Sequence, residues 1–315
     1  GNHFNFNACW LPDGDIAFLS TRESAYAYCW NSPVGVLHRM DRNGKNIIRL
    51  SANYLNDFTP AVLEDGRVIY SRWEYVDRPA IPIQSLWTLH PDGTGLKVFF
   101  GNRTLSPATF MEARSIPGTD QVLCLLTAHN GPCRGAIGIL DPKKGVNAQE
   151  AIRNLTPEVD IGAVNGGDGN HIRGVYENPF PLNDEWFLVS RKGTIVVRNY
   201  AGTEWATLLP ARKEMGFYNP KPIRAVAPPK LLPDARLAQS AREEQQSAVV
   251  YLQDIYVGLE PQVKRGEVAR LRVVEELAKP VEISPQLRAF GFQFPVVSSG
   301  ATYAPKKVWG ETPVM

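Results

Sequence analysis

The feature that most constrains this chain is the spacing of its turns. Leu11-Pro12-Asp13-Gly14 leads into Asp15-Ile16-Ala17-Phe18-Leu19-Ser20, and Leu63-Glu64-Asp65-Gly66 leads into Arg67-Val68-Ile69-Tyr70-Ser71. A second kind of turn alternates with the first. Asp41-Arg42-Asn43-Gly44 follows Leu37-His38-Arg39-Met40, and Pro91-Asp92-Gly93 follows Leu86-Trp87-Thr88-Leu89-His90. Asp-Gly and Asn-Gly favour tight hairpins because Gly, and to a lesser degree Asn and Asp, accept positive φ; the expected form is the type I′ turn. The flanks are β-branched and aromatic, as strands require. A period of about fifty residues with four short strands in each is the pattern of propeller blades, since one small twisted sheet buries its faces only against neighbours.

The pattern runs on through Gln121-Val122-Leu123-Cys124-Leu125-Leu126-Thr127 with Gly135-Ala136-Ile137-Gly138-Ile139-Leu140 as a third unit. Glu185-Trp186-Phe187-Leu188-Val189-Ser190 with Thr194-Ile195-Val196-Val197-Arg198-Asn199 makes a fourth. Between them, residues 144 to 174 hold Gly166-Gly167-Asp168-Gly169-Asn170 and read as a long loop at a blade rim. The expected organisation is propeller blades over 1–226, a Pro/Gln-rich connector over 227–247, and closing propeller strands with the start of a following domain over 248–315. Strands are expected again at Ser247–Tyr256 and Val268–Val274. The fold class is thus all-β: a propeller of four-stranded antiparallel blades with an irregular C-terminal extension.

Composition narrows function by exclusion. With 43% hydrophobic and 21% charged residues the chain folds by burial. A formal net charge of +2, with no Lys/Arg-rich run, lacks the basic field of a nucleic-acid binder. No apolar stretch is long enough to span a bilayer. Both ends read as cuts in a longer polypeptide. Cys9 and Cys29, and Cys124 and Cys133, form two pairs local in sequence; hairpin disulfides in an oxidising compartment and reduced buried thiols both stay open.

Taken in order, these phrases resemble the middle domain of the hydrazine synthase α subunit and the large planctomycete-type proteins that share a TolB/WD40-like propeller. The resemblance rests on Cys9-Trp10-Leu11-Pro12-Asp13-Gly14, on Leu37-His38-Arg39-Met40-Asp41-Arg42-Asn43-Gly44, and on Val68-Ile69-Tyr70-Ser71-Arg72-Trp73-Glu74. Tyr176-Glu177-Asn178-Pro179-Phe180-Pro181-Leu182 and Leu252-Gln253-Asp254-Ile255-Tyr256-Val257-Gly258-Leu259 extend it over nearly the whole chain. It implies six blades, a periplasmic or extracellular location, and a multi-domain parent that carries haem c in other regions or receives it from a partner subunit. The chain departs from that pattern in having no CxxCH motif, so no haem is expected within it. Tyr256 is the residue that could ligate a haem supplied from outside; a packed strand tyrosine with a backbone partner for its hydroxyl is the alternative.

Polar residues recur at corresponding strand ends: Ser20-Thr21-Arg22, Ser71-Arg72-Trp73-Glu74, Thr127-Ala128-His129 and Ser190-Arg191. In a propeller such ends share one face, so Arg22, Arg72, His129 and Arg191 form a candidate face for carboxylates, phosphates or an acidic partner loop. The alternative is that they tie blades together by hydrogen bonds. Cys124, His129 and Cys133 match no standard zinc spacing, and Asp168 lacks the alternating ligands of a calcium loop, so no metal site is expected. GxSxG, HExxH, GxxxxGK[ST] and GxGxxG are all absent. The expected function is a binding and scaffolding module for neighbouring domains or subunits. Part of a haem-dependent oxidoreductase of hydrazine-synthase type is the alternative.

Overall fold

The computed structural model describes residues 3–23, 25, 27, 33–74, 84–235, 252, 254–257, 259–276 and 306–314. Four antiparallel blades follow one another along the chain. The first is β1 (Asn5–Trp10), β2 (Ile16–Ser20), β3 (Val36–Met40) and β4 (Ile48–Arg49), paired in that order. The second is β5 (Asp57–Val62), β6 (Val68–Trp73), β7 (Gln84–Leu89) and β8 (Lys97–Phe100). β9 (Thr109–Ser115), β10 (Val122–Thr127), β11 (Gly135–Leu140) and β12 (Ile152–Asn154) make the third, and β13 (Tyr176–Pro181), β14 (Trp186–Arg191), β15 (Thr194–Asn199) and β16 (Trp205–Leu209) the fourth. A separate ribbon pairs β17 (Arg270–Glu276) with β18 (Lys306–Pro313).

Single residue pairs join the blades at their rims. Gln84 pairs with Thr109 and Gly135 with Tyr176, so the second, third and fourth blades run on as one ladder. Apolar side chains do the rest. Ile69, Leu86, Phe110, Leu123, Ile137 and Phe187 belong to one buried cluster spanning those three blades, while Leu19, Leu37, Val68 and Tyr70 join the first blade to the second. The middle blade shows what stacking does to sequence. Every residue of β10 and β11 is buried, giving continuous apolar runs where a one-faced sheet would alternate. Each large side chain buried there contributes about 1.5–3 kcal/mol.

The turns differ from the two-residue type expected. Gly14 N donates to Leu11 O (3.0 Å) and Leu11 N to Asp15 O (2.8 Å), with the Asp13 carboxylate accepting from Asp15 N. Only the glycine has positive φ, 88° at Gly14 and 90° at Gly66, whereas a type I′ turn needs two such residues. Aspartate is there as a side-chain acceptor, not as a left-handed residue. At Gly66 the demand is doubled: a Cβ would lie 2.0 Å from the carbonyl oxygen of Lys230, where the segment after the fourth blade crosses the turn and Lys230 N donates to Glu64 O.

Two expected elements are corrected. The segment 144–174 is not all loop, because β12 within it is the outermost strand of the third blade. It is only three residues long, Ile-Arg-Asn, too short to show alternation. Residues 254–257 form a turn and not a strand, because the Asp254 carboxylate caps the Tyr256 amide (2.9 Å). Residues 247–251, Cys29 and most of the connector lie outside the described residues.

Candidate functional site

In every blade the first strand is bulged at the same place. Phe6 and Cys9 face Leu19 and Ala17; Phe58 and Ala61 face Ser71 and Ile69; Glu177 and Phe180 face Ser190 and Leu188. β9 does the same with Met111 and Arg114 against Leu125 and Leu123. Each bulge inserts one extra residue, and the first bulged residue is left-handed: Asn7 (φ 51°), Thr59 (44°), Glu112 (57°) and Asn178 (54°). Asn219 (52°) repeats the conformation in Tyr218-Asn219-Pro220, which copies Glu177-Asn178-Pro179 and begins a fifth unit. Non-glycine residues with positive φ are uncommon, so five in register mark a built feature.

These residues chain the units together. Thr59 Oγ1 accepts from the Glu112 amide of the next blade (3.0 Å). Glu112 in turn accepts from the Asn178 backbone amide (2.7 Å) and side-chain amide (2.5 Å), and Asn178 Oδ1 accepts from the Asn219 amide (3.1 Å). Burial pushes the Glu112 carboxyl up, against the pull of the Asn178 donors and Arg114. Two residues past each bulge stand Cys9, Ala61, Arg114, Phe180 and Lys221. Arg114 and Lys221 both act electrostatically on the Cys9 thiol, but burial outweighs them and raises it to about 11.

The four residues singled out at the second-strand ends do not share one level. Arg72 and Arg191 pair with Asp57 and Tyr176, two residues before the left-handed position, where the other two blades have Ser20 and Leu126, so Arg22 lies two residues and His129 three residues beyond that level. Arg22 donates to Ser20 Oγ (3.0 Å) and Asn5 Oδ1 (3.3 Å). Arg72 is ion-paired with Glu74 (2.9 Å) over the Trp87 ring. Burial disfavours its charge, but Asp57, Tyr70 and Glu74 hold its pKa above the usual arginine value. Asp57 itself is fully buried and accepts from Leu37 N of the first blade and from Asn53 Nδ2, both at 3.0 Å. His129 Nδ1 lies 3.3 Å from Gln84 Nε2, and its ring meets Trp73 edge-on at 5.6 Å. The contacts of Asp57 with Leu37 and of His129 with Gln84 and Trp73 run between blades, while those of Arg22 and Arg72 stay within their own blades.

Arg191 differs. With Arg198 it brackets the Tyr176 ring at 5.9 and 5.8 Å, in a recess of about 280 Å³ shared with Glu158 and Trp205. Tyr176 donates to Glu158 (2.5 Å), and burial raises its pKa. A larger groove of about 560 Å³ lies between the turns of the second and third blades, at the opposite strand ends, lined by Asp65, Arg67, Lys97, Asp120 and Lys143 among others.

Cys9, Cys124 and Cys133 are free thiols. Cys124 and Cys133 both turn to Met111, on its carbonyl oxygen (3.2 Å) and its sulfur (3.4 Å), while His129 faces away to Gln84. Asp168 closes its own turn by accepting from Asn170 N. Tyr256 accepts from Gly266 N (2.7 Å) beneath the Arg265 guanidinium, which is bound to Asp254. That hydroxyl is engaged within its loop.

No family model matches this chain, and no curated protein matches it in sequence. Among solved structures it is similar to hydrazine synthase of Kuenenia stuttgartiensis, with a TM-score of 0.50 at 16% identity over 69% of this chain. The fold is a β-propeller. Putative TolB from Agrobacterium tumefaciens (TM-score 0.42, 10% identity, 64% of each chain) and TolB from Acinetobacter baumannii (0.40, 13%, 69% of this chain and 56% of that one) are more distant in shape. The expected likeness to hydrazine synthase and TolB propellers holds for the fold, and this chain spans 30% of the hydrazine synthase chain.

Proposed function

We propose that this chain is a binding and scaffolding module of an exported, multi-domain protein, a six-bladed propeller that positions neighbouring domains or subunits. The observation that carries the reading is a contrast of surfaces. Arg22, Arg72 and His129 at the second-strand ends are engaged by contacts within and between blades, while large apolar groups stay exposed on the outer blades: Trp10 at 67% in β1, Trp205 at 66% and Leu208 at 56% in β16. Exposed aromatics beside other apolar groups mark contact surfaces. The expectation of six blades draws on the four described here and the start of a fifth.

Cross-linking and mass spectrometry on the protein expressed from its whole reading frame test this. The scaffold reading predicts contacts from neighbouring domains or subunits around Trp10 and Trp205, weakened by Trp10→Ser and Trp205→Ser. No contact there contradicts it. A haem absorption band that shifts with Tyr256→Phe would replace it with the oxidoreductase reading.

A further inference from the structure

Of the four residues marked at the second-strand ends, Arg191 is the one whose charge the fold leaves turned to solvent. Arg22 is held by Ser20 and Asn5, Arg72 by Glu74, and His129 by Gln84 and Trp73. Arg191 ends β14, exposed, with its guanidinium 5.9 Å from the centre of the Tyr176 ring. Arg198 reaches the same ring from β15, anchored by its bonds to Leu155 O (3.2 Å) and Tyr176 Oη (3.3 Å). Among the described residues neither guanidinium is in an ion pair.

Two blades complete the recess. Glu158, from the loop after β12 of the third blade, is fixed by the Tyr176 hydroxyl (2.5 Å). Buried Val196 lines the recess, and Trp205, in register with Arg198, stands exposed at its edge. Its volume of about 280 Å³ lies just under the roughly 300–1,000 Å³ of small-molecule pockets, room for one or two side chains and not for a folded element. Two cations against one carboxylate leave a single positive charge, which matches one carboxylate, whereas a doubly charged phosphate would meet Glu158. A guanidinium fork binds a carboxylate well, and Arg, Trp and Tyr are the residues on which binding energy concentrates at protein contacts. We propose that this recess receives an aspartate or glutamate side chain of the neighbouring domain or subunit, its carboxylate held by Arg191 and Arg198 and the apolar residue next to it laid on Trp205. This docking rests on the scaffold reading and specifies its contact at Trp205.

Zero-length carbodiimide coupling reads the contact directly. Arg191→Lys, in the protein expressed from its whole reading frame in its own host, puts a primary amine at the mouth of the recess, and peptide mass spectrometry identifies the carboxylate joined to it. Coupling to an aspartate or glutamate of a neighbouring domain or subunit is expected. Arg191→Ala should lower the yield of cross-links around Trp205 roughly tenfold, the effect of losing one charge-assisted hydrogen bond. A thermal melt checks that this variant folds, and should it not, the coupling in Arg191→Lys decides alone. Arg191→Glu should lose the cross-links too, and recover them when the coupled acid of the neighbour is replaced by arginine. Coupling to Glu158 alone, to a chain terminus, to a phosphorylated residue or to nothing would overturn the proposal, as would cross-links around Trp205 undiminished in Arg191→Ala. Cross-links at Trp10 and Trp205 would then leave the scaffold reading standing, whereas their absence at both tryptophans overturns the two together.

Discussion

The innermost strands and the second-strand ends both repeat in every blade, but they repeat different things. At the second-strand ends the residue types look alike, Ser20, Ser71, Thr127 and Ser190 with an arginine or histidine close by, yet register sets Ser71 and Ser190 one residue, Ser20 two and Thr127 three before the left-handed position. In the innermost strands the residues differ, Asn7, Thr59, Glu112 and Asn178, yet all four are left-handed, with φ between 44° and 57°. Similar letters thus hide unlike positions, and unlike letters hide one conformation. A left-handed bulge demands only a short acceptor or a conformational tolerance, and several residue types meet that demand.

The contrast can be broken or sharpened by substitution, taken from the largest effect down. Arg72→Ala removes the guanidinium that faces both Asp57 and Glu74, two buried carboxylates, and should cost about 3–5 kcal/mol by denaturant unfolding. Glu112→Ala strips the acceptor from both Asn178 donors and is expected to cost about 2–3 kcal/mol. Thr59→Asn runs the other way. A β-branched residue is strained at φ 44°, and Asn178 performs the same acceptor role two blades further on, so the variant should gain about 0.5–1 kcal/mol. Arg191→Ala, which loses surface contacts with Tyr176 and Glu158 and leaves no buried carboxylate without its partner, should cost no more than about 0.5–1 kcal/mol. If Arg191→Ala proved as damaging as Arg72→Ala, the contrast between a guanidinium held by buried carboxylates and one at the surface would be wrong.

Acidity probes the same ties. Burial lowers the pKa of His129, and likewise that of His38. A group whose folded pKa is depressed contributes stability present above its unfolded value, near 6.5, and lost as pH falls through the folded value. Thermal unfolding should therefore shift downward as the medium is acidified below neutrality, and less so in His129→Gln, which removes one of the two groups.

Much of the fold was legible because the signals were local. Asp13-Gly14, Asp65-Gly66 and Asp92-Gly93 mark turns through chemistry confined to a few residues, and the apolar runs between them mark strands. The exact turn type was not, since the aspartate serves as an acceptor rather than as a second left-handed residue. β12 escaped because three residues cannot display a period. The candidate site was harder. Arg72 and His129 were visible as recurring polar ends, but their partners Asp57 and Gln84 come from the starts of other strands, and no spacing predicts that meeting. The one sequence trace of the bulged positions is Thr59-Pro60 and Asn178-Pro179, repeated in Asn219-Pro220, where proline is tolerated because a bulge frees the ladder. Glu112-Ala113 and Asn7-Ala8 break that trace, which is why Glu112 went unnoticed until the strands were assembled.

The claim on which the rest depends is that the bulged residues couple neighbouring blades. A double-mutant cycle of Glu112→Ala and Asn178→Ala, followed by denaturant unfolding, tests it directly. The account predicts a coupling of about 1–3 kcal/mol between the two positions, and a value within about 0.3 kcal/mol of zero would contradict it.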